Sequence, residues 1–443
     1  MNPVSELKRE LNLTHIMALV LGSVIGSGVF INLPIVAKEA GSPWMAVLAW
    51  FIGGLIWLPQ LLILSEISTA YPEEGFGYLY MKKAGSPALG FLYVWTVFWT
   101  SDTPSITIVA LSAGSALSVF WPPLHGTIYT KLFASLLILA LTYVHYRSVK
   151  KGGGLQVFLT IVKISPLILL CILGFMYFNS DNLFFEPILP DKANVGFMTL
   201  LVAGVAATIW SYAGFTNVLY MTGEMKNPQK IVPFSMIMSV GIVTVIYVLI
   251  SLATSVFVPY ETLIQNVGQF ANPFLYLPAF AKIAAAFLAI AAFASMMGCL
   301  NALIMVQPRI EYAVARDGLF FKPFGHVHPK YLTPDYSILF QSGLAIALMF
   351  FGGLEDLLGY FTLSYLFQNA MVDSAIFVLR KKTDYHPTFR SPLWLMMTIL
   401  AIGTQIYLIY GTFIAFPVGG VLTAAALIAT GLPVYWYFKS RQK

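Results

Sequence analysis

The sequence predicts an all-α, polytopic membrane protein made of two halves of opposite topology. Three observations carry that reading: an apolar composition, a series of twelve long runs poor in charge, and two of those runs interrupted at mid-length by small and polar residues. Of 443 residues, 58% are hydrophobic and 10% are Asp, Glu, Lys or Arg, with a mean hydropathy of +0.79. Such values exclude a soluble domain. The net charge of +6 is therefore loop charge that sets orientation, and no nucleic-acid partner is expected.

A bilayer crossing needs about 20 apolar residues. Runs of that kind lie at residues 13–38, 43–71, 87–120, 129–148, 154–178, 196–222, 231–257, 274–316, 335–352, 356–380, 391–415 and 417–438. The first follows Lys8 and Arg9 as a signal peptide would. It is too long and has no small-residue cleavage site, so it reads as a spanning helix. The eighth continues past Pro308 as a cytoplasmic extension. The uncharged stretch from Ser391 to Phe438 is too long for one crossing and divides at Phe416-Pro417-Val418-Gly419-Gly420, a tight hairpin. Of the 25 Lys and Arg residues, 20 fall on one side, from Lys8 and Arg9 to Lys439 and Lys443. Both termini are thus expected in the cytoplasm, in a plasma membrane. The resulting division is a cytoplasmic N-terminus (1–12), a core (13–390) with repeats at about 13–178 and 196–380, two peripheral helices (391–438) and a short tail (439–443).

The first run carries Gly22-Ser23-Val24-Ile25-Gly26-Ser27-Gly28, three glycines and two serines in seven residues at its middle. Backbone opened at that depth finds no water, so it persists only where it lines a cavity, and the freed N–H groups of the second half-helix make an anion site. Close helix packing through a small-residue stripe is the alternative for one such break. The sixth run repeats the pattern in Trp210-Ser211-Tyr212-Ala213-Gly214-Phe215-Thr216-Asn217. An offset of five helices reverses topology, and paired breaks in an inverted repeat mark a binding site at the membrane midplane.

Charge inside the runs is the next signal. Lys163 lies about ten residues into the fifth run, too deep to reach the interface by stretching, and must face a polar interior. Asp102, flanked by Thr100, Ser101, Thr103 and Ser105, reads either as a pathway residue or as a helix contact. Asp373 reads as an interfacial partner of Arg380. The six histidines fall in loops or at helix ends, so no buried His cluster is expected for a metal or for acid–base work. Without a phosphate-binding loop or catalytic constellation, neither an ATP-driven pump nor an enzyme is indicated, and no cofactor is implied. Glu73-Glu74 and Glu355-Asp356 read as solvated acids, and Cys171 and Cys299 offer no disulfide framework.

The Gly26-Ser27-Gly28-Val29-Phe30 break, Gly223-Glu224-Met225-Lys226-Asn227-Pro228, Gly298-Cys299-Leu300-Asn301, Pro308-Arg309, His326-Val327-His328-Pro329 and Thr333-Pro334 together resemble the amino acid–polyamine–organocation superfamily. Within it the chain is similar to L-amino-acid transporter exchangers and to bacterial alanine–serine–cysteine exchangers. The resemblance implies the leucine-transporter-type fold, with five-plus-five inverted repeats, broken helices 1 and 6, and two peripheral helices. It implies sodium-independent exchange of small neutral amino acids by alternating access. The carboxylate would be held by N–H groups of Gly26, Ser27 and Gly28, and the ammonium by carbonyls of Val24, Ile25, Trp210 and Ala213. Lys163 matches a lysine that stands in for sodium, while Tyr247, Ser295 and Cys299 match neighbouring positions. Relatives often carry serine where Cys299 stands. A proton-coupled symporter using Asp102 or Lys163, or an exchanger of larger neutral amino acids, is the alternative. Animal members are linked to a heavy subunit by a cysteine after helix 3; the loop Trp121–Tyr129 has none, so no disulfide-linked partner is expected. If backbone N–H groups read the carboxylate, Gly26→Val abolishes binding and amino acid amides compete poorly with their parent amino acids in an uptake assay. An amide competing equally overturns the carboxylate reading.

Overall fold

The structure is a computed structural model that describes the chain apart from residues 1–6, 27, 179, 187–191, 193, 266–272, 277–281, 352–366, 416 and 443. It is overwhelmingly helical. Among the described residues no strand forms, and the one β-type bridge joins Leu11 to Met225. The first run folds as two helices, α1 (Leu13–Val24) and α2 (Gly28–Ala40). Asn12 starts α1: its side chain accepts from the His15 N–H at 3.0 Å, and the His15 ring accepts in return from the Asn12 N–H. The second run is α3 (Pro43–Leu55) and α4 (Leu58–Ala70), separated by a turn at Ile56–Trp57, because Pro59 lacks the N–H that would continue the ladder. A short helix α5 (Phe76–Lys83) leads to α6 (Pro87–Val97), a π turn at Phe98–Asp102 and α7 (Thr103–Ala116), where Pro104 again removes a donor.

Next come α8 (Ile128–Arg147) and α9 (Val149–Met176). The sequence reading starts the fifth run at 154, at the last glycine of Gly152-Gly153-Gly154. The helix instead begins at Val149, capped by the Ser148 hydroxyl, which accepts from the Lys151 N–H at 3.2 Å. Gly152 and Gly153 are packed against neighbours inside it, a Cβ on Gly152 lying 2.4 Å from the His145 ring and one on Gly153 3.2 Å from the His15 ring, while Gly154 has open space beside it. After α10 (Phe197–Thr208), a 3₁₀ stretch leads to α11 (Pro228–Phe257), the short α12 (Tyr260–Gln265), α13 (Ala284–Val306), α14 (Pro308–Arg316) and α15 (Asp335–Phe351). Apolar helices at Phe367–Leu379, Trp394–Ala415 and Pro417–Ser440 complete the described chain. The hairpin residue Phe416 and the acids Glu355 and Asp356 lie outside the described residues.

Among the described residues, five helical stretches are long and apolar enough to cross a membrane: Pro43–Ala70 (α3 with α4), Ile128–Arg147, Val149–Met176, Pro228–Phe257 and Ala284–Arg316 (α13 with α14). Burial on the outer helices departs from that of a soluble protein. On α9, Ile161 is 64% exposed while Lys163 is 3% exposed. At these positions the apolar side chain faces outward and the charged one inward, as expected when the surrounding solvent is hydrocarbon, while many other apolar side chains fill the interior. α1 packs against α9, α11 and α13, while α2 packs against α3 and α10.

Among the described residues, one fully buried ion pair and one partly buried pair tie separate runs together. Arg309 on α14 donates its Nε to Glu224 at 2.7 Å, with both side chains fully buried. Glu66 on α4 accepts from Arg380 at 2.7 and 2.5 Å, from the Tyr385 hydroxyl at 3.0 Å and from the Ser391 N–H at 2.7 Å. Arg380 is therefore taken by Glu66, and Asp373, read from sequence as its partner, accepts from Gln60 Nε2 at 3.0 Å instead. Removing one member of a buried pair strands a charge, at a cost of about 3–5 kcal/mol. Arg309→Met is expected to lower thermal stability sharply, and Arg309→Met with Glu224→Leu to recover most of it; equal losses in both would show that the pair is not what holds these segments.

Candidate functional site at the two helix breaks

α1 ends at Val24, and Ile25 follows in extended conformation (φ −73°, ψ 98°), so the last carbonyls of the helix lose their intrahelical donors. α10 ends at Thr208 and passes through a 3₁₀ turn, Ile209–Tyr212, to Gly214 at φ +115°, from which a second 3₁₀ stretch, Phe215–Glu224, departs. That φ favours glycine, and a Cβ there would also lie 2.9 Å from the Ser23 carbonyl oxygen. The two breaks thus touch through a residue that has no side chain.

Side-chain donors reach the opened carbonyls of Gly22, Val24 and Ile25. Lys163 Nζ donates to the Gly22 oxygen at 2.6 Å and to the Ile25 oxygen. Ser295 on α13 reaches the same Ile25 oxygen at 3.5 Å. The Tyr247 hydroxyl on α11 lies 3.2 Å from the Val24 oxygen and 3.1 Å from the Ser211 oxygen, bridging the breaks. Asn32 on α2 donates to the Ser211 hydroxyl at 2.7 Å. One turn at a time below Lys163 on α9, Thr160 donates to the Ala18 oxygen at 3.1 Å and Gln156 to the same oxygen at 3.4 Å. Gln156 Oε1 accepts from Asn301 at 2.6 Å, and Asn301 pairs with the His145 ring at 3.0 Å. Among the described residues no carboxylate pairs with Lys163; its charge rests on backbone carbonyls.

The structure brings together Val24, Ile25, Gly26, Gly28, Lys163, Tyr247 and Ser295 from the sequence-predicted set. The Ile25 carbonyl is engaged by Lys163, with the Ser295 hydroxyl 3.5 Å away. Gly26 has nothing within 3.9 Å of where a Cβ would be, and Gly28 faces Ser211 at 3.6 Å. Gly26 keeps an ordinary φ, so open space beside it, not turn strain, is what a side chain would remove. Ala213 is half-buried. Ser27 and the side chain of Trp210 lie outside the described residues. The hydrogen bonds of Lys163 go to carbonyls and not to Cys299. Asp102 lies apart from this set: its backbone carbonyl accepts from the Ser105 hydroxyl, which accepts from Gln307 Nε2. Sequence reasoning missed Ser211, Gly214 and Asn32, although the first two stand in the quoted second break. It also placed His145 at a helix end without foreseeing its complete burial.

The sequence model of the amino acid permease family matches residues 11–438. The chain is 30% identical to the serine/threonine exchanger SteT of Bacillus subtilis (strain 168), covering 98% of both chains. It is 25% identical to the b(0,+)-type amino acid transporter 1 of Mus musculus, covering 98% of this chain and 88% of that one. It is 27% identical to the methylthioribose transporter of Bacillus subtilis (strain 168), covering 98% and 94%. With a family model matching nearly its whole length, the chain is a transporter and belongs to the amino acid permease family of the amino acid–polyamine–organocation superfamily.

Proposed function

We propose that this protein is a sodium-independent exchanger of small neutral L-amino acids in a bacterial plasma membrane. It works by alternating access in a twelve-span, five-plus-five inverted repeat with two peripheral helices, and has no disulfide-linked heavy subunit. The observation that carries the reading is Lys163, buried at the opened end of α1 with its ammonium on the Gly22 and Ile25 oxygens. A fixed cation on those oxygens does the electrostatic work a bound sodium ion would do, so substrate gradients alone drive flux. The resemblance to a serine/threonine exchanger supports exchange and small substrates.

In this reading a zwitterion lies across the two breaks. N–H groups at the start of α2, from Gly26 to Gly28, meet the carboxylate, helped by the helix dipole. Carbonyls of Val24, Trp210 and Ala213 meet the ammonium. The methyl of Ala213 and the bulk of Trp210 bound an apolar side-chain compartment with no charge to pair with lysine or glutamate. Methylthioribose, carried by one relative, has neither carboxylate nor ammonium and would not satisfy these groups. Counterflow in liposomes tests exchange: labelled alanine or serine enters quickly only when unlabelled amino acid is inside. Uptake indifferent to internal substrate overturns it.

Lys163→Ala leaves the Gly22 carbonyl without its side-chain donor, at about 1–3 kcal/mol, and the Ile25 carbonyl with only the long bond from Ser295. Exchange is expected to fall by at least about tenfold at unchanged expression. Full sodium-free activity in the variant would remove Lys163 from the mechanism. In a competition panel, alanine, serine, cysteine, glycine and threonine are expected to outcompete leucine and phenylalanine by graded margins, roughly 1–3 kcal/mol per misfitting methylene. Methylthioribose is expected not to compete. Stronger competition by the large side chains, or failure of Ala213→Gly to widen the range, refutes the pocket.

A further inference from the structure

Asn32 and Ser211 are buried polar residues in the membrane-spanning core, 7% and 3% exposed, and they satisfy each other: the Asn32 amide donates to the Ser211 hydroxyl at 2.7 Å. Asn32 lies one turn beyond Gly28 on α2, so the two share a face of that helix. Gly28 meets the same partner. A Cβ on it would lie 3.6 Å from both the Cα and the hydroxyl oxygen of Ser211. The start of α2 is therefore laid against one residue of the second break, by close approach at Gly28 and by a directional bond at Asn32.

Ser211 is held from another side as well. Its carbonyl oxygen lies 3.1 Å from the Tyr247 hydroxyl, which is 3.2 Å from the Val24 oxygen at the end of α1. The next residue is fixed too, the Tyr212 hydroxyl donating to the Trp50 oxygen on α3 at 2.7 Å. Ser211 is thus tied to both halves of the first run: through its hydroxyl to α2 and, by way of Tyr247, through its carbonyl to the end of α1.

The N–H of Ser211 and the carbonyl of Trp210 belong to one planar peptide unit, so a restraint on Ser211 also aims the Trp210 oxygen. The zwitterion reading above, on which this inference rests, puts Gly28 at the carboxylate end of the substrate and the Trp210 oxygen at the ammonium end. The Asn32–Ser211 bond spans the two ends, with one partner a helical turn from Gly28 and the other bonded to Trp210.

We propose that Asn32 and Ser211 are positioning residues that set the spacing between the carboxylate and ammonium sites, and so select α-amino acids over β-amino acids. In an α-amino acid one carbon stands between the carboxyl group and the nitrogen; in a β-amino acid two do. A gap fixed to suit the first leaves one end of the second out of register with its partners, and hydrogen bonds to a charged group are lost steeply with misplacement. Without the Asn32 bond, α2 is free to shift against the second break, and the gap no longer favours one spacing.

The test is displacement of labelled alanine or serine from the purified full chain in sodium-free detergent solution, which reads binding alone, whatever the coupling of transport. Alanine and β-alanine are isomers of equal charge, so the ratio of their affinities isolates spacing. The wild type is expected to bind alanine at least about tenfold more tightly than β-alanine, a comparison that needs no variant. Asn32→Leu and Ser211→Ala are each expected to lower that ratio about three- to tenfold, chiefly by weakening alanine. The double variant is expected to match the single ones, because either change removes the same bond. A substitution that only loosens the fold weakens both isomers alike. Equal binding of the isomers by the wild type, an unchanged ratio in the single variants, or additive losses in the double variant overturns the proposal and leaves the amino acid reading standing. Failure of both labelled alanine and labelled serine to bind the wild type overturns that reading, and the proposal with it.

Discussion

Opened backbone at the centre of this protein has nowhere to find water, and the arrangement around α1 follows from that constraint. A helix that ends at Val24 leaves carbonyls whose next-turn donors do not exist. In an aqueous domain solvent would supply them. Here Lys163, Tyr247 and Ser295, from three other helices, are turned onto the end of α1. The lysine gains as much as the backbone does: an ammonium without a carboxylate partner is tolerable only against several oxygen dipoles. Break and cation are each unstable alone and stable together.

The ion pairs farther along the chain follow a different logic. Arg309 with Glu224, and Arg380 with Glu66, are salt bridges between full charges, and the second is surrounded by additional donors from Tyr385 and Ser391. Such pairs contribute little net stability relative to apolar packing but are intolerant of losing one member. They specify which segments meet. Glu224 also offers its backbone carbonyl to the Leu11 N–H at 3.1 Å, and Leu11 accepts from the Lys226 N–H at 3.0 Å, so the stretch ahead of α1 is joined to the segment that closes the second break.

Features that violate a local rule were legible in the sequence. Clustered glycine and serine at mid-run announced the first break, a lysine too deep to reach water announced Lys163, and the charge-free runs announced the membrane. Features set by partners distant in sequence were not. Asp373 and Arg380 are close in sequence, yet Arg380 goes to Glu66, more than three hundred residues away, because burial makes the best available geometry decisive. Gly214 is one glycine among 34 until its φ and its approach to Ser23 are known. Gly152 and Gly153, just ahead of the fifth run, count against a helix by propensity, which cannot see the His145 and His15 rings packed where their side chains would be.

The contacts between α1 and α9 have a mechanical consequence. Donors at Gln156, Thr160 and Lys163 recur at helical spacing and meet acceptors at Ala18, Gly22 and Ile25, which recur at the same spacing. Gly22 makes room for this: a Cβ there would lie 1.7 Å from the Gln156 amide. A slide of one residue, about 1.5 Å, would misalign every rung together and drive a side chain into the glycine gap. Rotation of the two helices as one body disturbs none of them. The pair therefore behaves as a single strut hinged at Ile25 and Gly26, so motion at the break bends the strut against α2 without shearing the strut itself.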